Sequence, residues 1–170
     1  MDQALPSRFL FRFRRRDAPV VAEPADEPTA IPKSNGRSPA GWRILIVMSK
    51  RSLVSVVDDD ESVRESLPDM LRQLGFAAQA FSSAEAFLAS DVVGATRCLI
   101  LDVAMPGMSG PDLQHELTRR RREIPIVFIT AHEDGTIRPK LLARGAVECL
   151  FKPFSETALL DALDAALRMR

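Results

Sequence analysis

Three consecutive aspartates, Asp58, Asp59 and Asp60, follow directly on the apolar run Leu53-Val54-Ser55-Val56-Val57. Carboxylates this close repel one another unless a cation neutralises them. Asp also caps helices and suits their positive N-terminal end. One Asp is enough for a cap, so the triplet leaves a hard-cation site and a solvated cap both open. Three later apolar runs end in polar groups as well: Asp102 after Leu99-Ile100-Leu101, Thr130-Ala131, and Lys152-Pro153. Gathered in one place, these groups suit phosphoryl chemistry. Mg²⁺ prefers hard oxygen ligands, and a carboxylate such as Asp102 can accept a phosphoryl group as an acyl phosphate. The metal and Lys152 would neutralise charge spreading over the phosphoryl oxygens, to which the Thr130 hydroxyl can donate. Each residue has a plainer reading alone: Asp102 as a turn cap, Thr130 as a strand end, Lys152 as a solvated cation.

The elements that must bring them together are legible from Leu53 onward. Short apolar runs at 53–57, 77–81, 98–101, 125–130 and 147–151 show little polar alternation, the pattern of strands buried on both faces. Helical stretches lie between. Glu61 to Leu74 places Val63, Leu67, Met70, Leu71 and Leu74 on one stripe, with Pro68 expected to kink it near Arg64. Ser82-Ser83-Ala84-Glu85 predicts a capping box. Ser109, with Pro111 in the first turn, predicts a third helix. Ile137, Leu141 and Leu142 mark a fourth that ends at Gly145, and Ser155 caps a fifth with Leu159, Ala162, Leu163, Ala166 and Leu167 inward. Five β-then-α units imply an α/β fold, a parallel sheet with helices on both faces. Such sheets bind ligands beyond the carboxyl ends of their strands. With strand order 2-1-3-4-5, the ends bearing Asp58, Asp102, Thr130 and Lys152 converge on one pocket.

Residues 51–170 resemble the receiver domain of bacterial two-component response regulators. The resemblance rests on Val57-Asp58-Asp59-Asp60-Glu61, on Leu101-Asp102-Val103-Ala104-Met105-Pro106-Gly107-Met108-Ser109-Gly110, on Ile129-Thr130-Ala131 and on Lys152-Pro153-Phe154. It implies a doubly wound, flavodoxin-like fold with five helices around the sheet, acting in phosphorelay signalling. Asp102 becomes the phosphoacceptor. Asp58, Asp59, Asp102 and the backbone carbonyl of Ala104 become the Mg²⁺ ligands. Thr130, Ala131 and Lys152 meet the phosphoryl group, and Pro153 is a cis-proline candidate. The donor would be a phosphohistidine on a histidine kinase or histidine phosphotransfer protein. No enzymatic role is implied beyond self-catalysed phosphorylation and dephosphorylation. One position departs from the pattern: Cys149 stands where the family usually has Tyr or Phe, three residues before the lysine. A thiol cannot fill that ring-sized space, which predicts rearrangement of the loop after Thr130 with a muted change at Cys149.

Two rival functions draw on the same residues. A haloacid-dehalogenase-like phosphatase would use Asp58 and Asp60 as its Asp-x-Asp pair, but leaves Asp102 idle and lacks an acidic pair after Lys152. A pseudo-receiver would only bind partners, without phosphorylation. His132 lacks a metal-ligand partner at a suitable spacing and reads as a loop residue.

Composition bounds the rest. The chain has 170 residues with 23 basic and 23 acidic side chains, which gives no support for attraction to nucleic acid or bilayers. Cys98 and Cys149 lie inside apolar runs and read as buried thiols in a reducing, cytoplasmic setting. No stretch reaches the ~20 apolar residues needed to span a membrane. Residues 1–50 read as a low-complexity, disordered extension, with prolines at 19, 24, 28, 32 and 39. The basic and aromatic run from Arg8 to Arg16 reads as an unstructured cationic end. Met48 resembles a translation start, which would make residues 1–47 a misassignment, although Trp42 to Val47 could form a strand. The arginines from Arg119 to Arg122 read as a solvated helix end. With no DNA-binding or enzyme unit after the fifth helix, the expectation is a stand-alone receiver that acts through protein contacts and does not bind DNA.

Overall fold

The computed structural model describes residues 52–131 and 135–169. The readings of the N-terminal extension and of His132 lie outside these residues. Strand β1 (Leu53–Val57) leads to helix α1 (Glu61–Gln73), β2 (Ala77–Phe81) to α2 (Ala84–Ala89), and a 3-10 turn (Asp91–Gly94) to β3 (Thr96–Asp102). Then follow α3 (Gly110–Arg119), β4 (Ile126–Thr130), α4 (Ile137–Ala143), β5 (Glu148–Phe151) and α5 (Glu156–Arg168). The five strands pair in parallel in the order β2-β1-β3-β4-β5.

Alternation along the strands divides the core between the two faces of the sheet. Val54, Val56, Cys98, Ile100, Val127 and Ile129 face one way and meet Val63, Leu67 and Leu71 of α1 and Leu159, Leu163 and Ala166 of α5. Val57, Leu99, Leu101 and Phe128 face the other way and meet Phe87 of α2, Leu113 and Leu117 of α3 and Leu141 of α4. Burying each of the larger side chains stabilises the fold by about 1.5–3 kcal/mol before entropy is subtracted.

Local signals explain most boundaries. The side chains of Asp60, Ser83, Ser109 and Ser155 each accept from a backbone N–H in the first turn of the helix they open. Gly145 ends the turn after α4 with a φ of 91°. Two expectations need correction. The second helix is capped by Ser83, not by a box of Ser82 and Glu85; Glu85 bonds elsewhere, as described below. Strand β2 is not buried on both faces, because it forms one edge of the sheet and is covered only in part. Pro68 sits on the buried side of α1, which continues through it as a single helix of 13 residues.

Candidate functional site

Because every pairing is parallel, the strands present their carboxyl ends along one edge. Val57 is in register with Leu101, so the next residues, Asp58 and Asp102, stand side by side. Asp102 is in register with Ile129, and Thr130 with Phe151, which brings Lys152 to the same edge from two strands away. The Lys152 Nζ donates to Asp58 Oδ2 at 2.6 Å and to Asp102 Oδ1 at 2.8 Å. These side chains are 14%, 0% and 8% exposed, respectively. One ammonium therefore serves two carboxylates that water scarcely reaches.

The backbone holds the other carboxylate oxygens. Asp60 N–H donates to Asp58 Oδ1 at 2.9 Å, and Ala104 N–H donates to Asp102 Oδ2 at 2.8 Å. Burial pushes the Asp58 carboxyl above its ordinary value of 3.8, against the lowering effect of Lys152 and the Asp60 amide. Burial alone would push the Lys152 ammonium down. Its hydrogen bonds to Asp102 and Asp58 outweigh this and hold it above the ordinary 10.5.

The aspartate triplet is split among three tasks. Asp58 is buried in the ion cluster, Asp59 is exposed, and the Asp60 side chain accepts from Ser62 N–H to cap α1. Among the described residues, no three His, Cys, Asp or Glu side chains are gathered as a ready metal cage. Two carboxylates converge through Lys152, and Asp59, next in the chain after Asp58, is exposed. Sequence reasoning missed Arg64, whose Nη1 donates to the carbonyls of Asp59 at 2.6 Å and Asp58 at 3.1 Å. The available signal was a long cation in the first turn after a strand end whose carbonyls lie past the ladder.

The remaining site residues surround this cluster. Thr130 is buried at the end of β4, and its carbonyl accepts from Lys152 N–H at 2.8 Å, while Ala131 is exposed beyond it. The Lys152–Pro153 peptide is cis. Cys149 is buried within the cluster that includes Phe128 and Leu141. Burial, then Glu148, pushes its thiol up, and burial takes Cys98 to about 12. Neither is a reactive thiolate near neutral pH. Ala104 reaches the site through its amide. The loop after β3 is tied by Glu85, which accepts from Met108 N–H at 3.1 Å. Gly110 donates to the Val103 carbonyl at 3.1 Å. A Cβ there would lie 2.3 Å from the Asp102 carbonyl oxygen and 3.0 Å from the Phe128 ring.

The sequence profile of the response regulator receiver domain matches residues 54–164. The chain belongs to that family. The receiver is 46% identical over 118 residues to Nodulation protein W of Bradyrhizobium diazoefficiens, covering 69% of this chain and 52% of that protein. It is 40% identical over 134 residues to the response regulator protein TodT of Pseudomonas putida, covering 79% and 59%. Among solved structures, FixJ-N superposes with a TM-score of 0.64 at 38% identity, covering 70% of this chain and 95% of that one. The chain thus spans little more than half the length of these curated relatives. Among the described residues, no helix is long and apolar enough to cross a membrane.

Proposed function

We propose that this receiver accepts a phosphoryl group on Asp102, with Mg²⁺ beside it, and relays that state through protein contacts in the cytoplasm. The observation that carries the reading is the Lys152 ammonium bonded to both Asp58 and Asp102 where their strands end. The donor set fits a hard divalent cation. Asp58, Asp59 and Asp102 carry three formal negative charges against one on Lys152, and oxygen donors of this kind suit a hard cation. Those three carboxylates and the Ala104 carbonyl would hold the ion, which when bound supplies positive charge to the phosphoryl oxygens.

An Asp102 carboxylate oxygen attacks the phosphorus of a phosphohistidine on a histidine kinase or phosphotransfer protein. The O–P bond forms as the P–N bond breaks, and the imidazole nitrogen leaves with the electron pair and takes a proton from solvent. Lys152 balances charge on the transferred group, the Thr130 hydroxyl donates to it, and small Ala131 leaves it room. The protein is read as a phosphoacceptor and not as a turnover enzyme, and residues 52–170 are assigned no direct contact with DNA. The phosphatase reading is weakened by Asp60, whose carboxylate is spent on the cap of α1. With Cys149 in place of a ring, phosphorylation shifts the loop after Thr130 and moves Cys149 little. NMR shifts confined to the Asp102 loop would contradict that output. Incubation with Mg²⁺ and acetyl phosphate, followed by intact-mass measurement, tests the chemistry. Wild type gains one acid-labile phosphoryl and Asp102→Ala gains none. An unmodified wild type, or a modified variant, overturns the proposal.

A further inference from the structure

We propose that Arg64 is a positioning residue for the cation-binding carboxylates, fixing the β1–α1 loop in the orientation that aims Asp58 into the pocket. This rests on the Mg²⁺ reading given above. Arg64 lies in the first turn of α1, partly buried, and its hydrogen bonds go to backbone carbonyls. One terminal guanidinium nitrogen carries two hydrogens and so can serve both carbonyls. Both carbonyls follow Val57, the last paired residue of β1.

The consequence runs through peptide geometry. The Asp59–Asp60 peptide is trans and planar, so its C=O and N–H point in opposite directions. With the Asp59 carbonyl held on Arg64 at 2.6 Å, the Asp60 N–H is turned back onto Asp58 Oδ1 at 2.9 Å. That bond orients the Asp58 carboxylate and leaves Oδ2 free to meet Lys152. Arg64 thus acts on Asp58 through one peptide plane, without touching the carboxylate.

A cation this close to an acidic pocket has two opposing effects on Mg²⁺, which makes the test decisive in sign. If Arg64 contributed only charge, neutralising it would strengthen Mg²⁺ binding. If it positions Asp58, neutralising it weakens binding. Isothermal titration of the full chain with Mg²⁺ at fixed ionic strength compares wild type, Arg64→Gln and Arg64→Lys. Support for a carboxylate of this kind is commonly worth 10- to 100-fold in metal affinity, so Arg64→Gln is expected to bind about tenfold more weakly. Arg64→Lys, which keeps the charge but not the flat guanidinium, is expected to fall between. In the Mg²⁺-free protein, the Asp60 amide proton should shift upfield and exchange faster in Arg64→Gln. Equal or tighter Mg²⁺ binding by Arg64→Gln overturns the inference, as does an unchanged Asp60 amide. If that variant does not fold, Arg64→Lys decides: weaker binding than wild type supports the role, and equal or tighter binding ends it. A wild type that does not bind Mg²⁺ overturns the site reading itself, a separate result.

Discussion

Two ion clusters in this molecule are mirror images. At the sheet edge one cation, Lys152, sits between two acids at 2.6 and 2.8 Å. On α3 one acid, Glu116, sits between two cations, Arg119 and Arg120, both at 2.7 Å. By distance they are alike. By environment they differ at the flanks: the central Glu116 and Lys152 are 18% and 14% exposed, but the flanking arginines are 67% and 46% exposed and the flanking aspartates 0% and 8%. The α3 cluster joins residues one helical turn apart and needs only the helix to form. The sheet-edge cluster joins residues 94 and 50 positions apart and exists only once the fold does. Separation therefore says little about what an ion pair is worth. Desolvation and the balance of charge decide it.

The largest expected effect comes from removing the central charge of the buried cluster. Lys152→Met leaves two buried carboxylates facing one another and should cost on the order of 3 kcal/mol in urea unfolding. Mg²⁺ should recover part of that loss by binding the folded state. Glu116→Gln in the exposed cluster should leave the urea midpoint within error at physiological salt. Equal losses from the two substitutions would break the contrast.

Acidity sharpens it further. The Lys152 value lies above 10.5 in the folded protein, so its contribution is fully present below that pH and is lost as pH rises through the folded value. Thermal melts of wild type should show this alkaline decline, and Lys152→Met should lack it. Asp58 runs against the usual carboxylate. Its folded value is raised, so the folded state binds its proton more readily, and stability from this group declines as pH rises above 3.8. The smallest effect belongs to Glu116, held at about 2 first by Arg119 and then by Arg120. Its contribution is present above 4.5 and is lost as pH falls toward 2, so melts at low salt should show a slight acid decline that Glu116→Gln lacks.

Most of the site was legible because it follows from topology. Once five β-then-α units fix a parallel sheet, residues that end successive strands must meet, and Asp58, Asp102 and Lys152 do. What escaped the sequence depends on where a side chain turns. Arg64 looks like any polar residue on an exposed helix flank until the carbonyls beyond Val57 are seen to lack ladder partners. Glu85 fits a capping box with Ser82 equally well, and only the folded chain shows that it bonds Ser83 and reaches Met108 in the loop after β3. Strand β2 gives little sign of which face is wet, because three of its five residues are alanines and only Gln79 is polar. Its edge position makes it less covered than its composition suggests.

Gly110 leaves so little space that α3 starts directly against the Asp102 carbonyl. Strand tip and helix start are therefore coupled like the two arms of a lever. Any displacement of the Asp102 main chain must carry the first turn of α3 with it. Even a methyl group at position 110 would have to prise the two apart. In a saturation scan, position 110 should tolerate few substitutions although it carries no side chain at all.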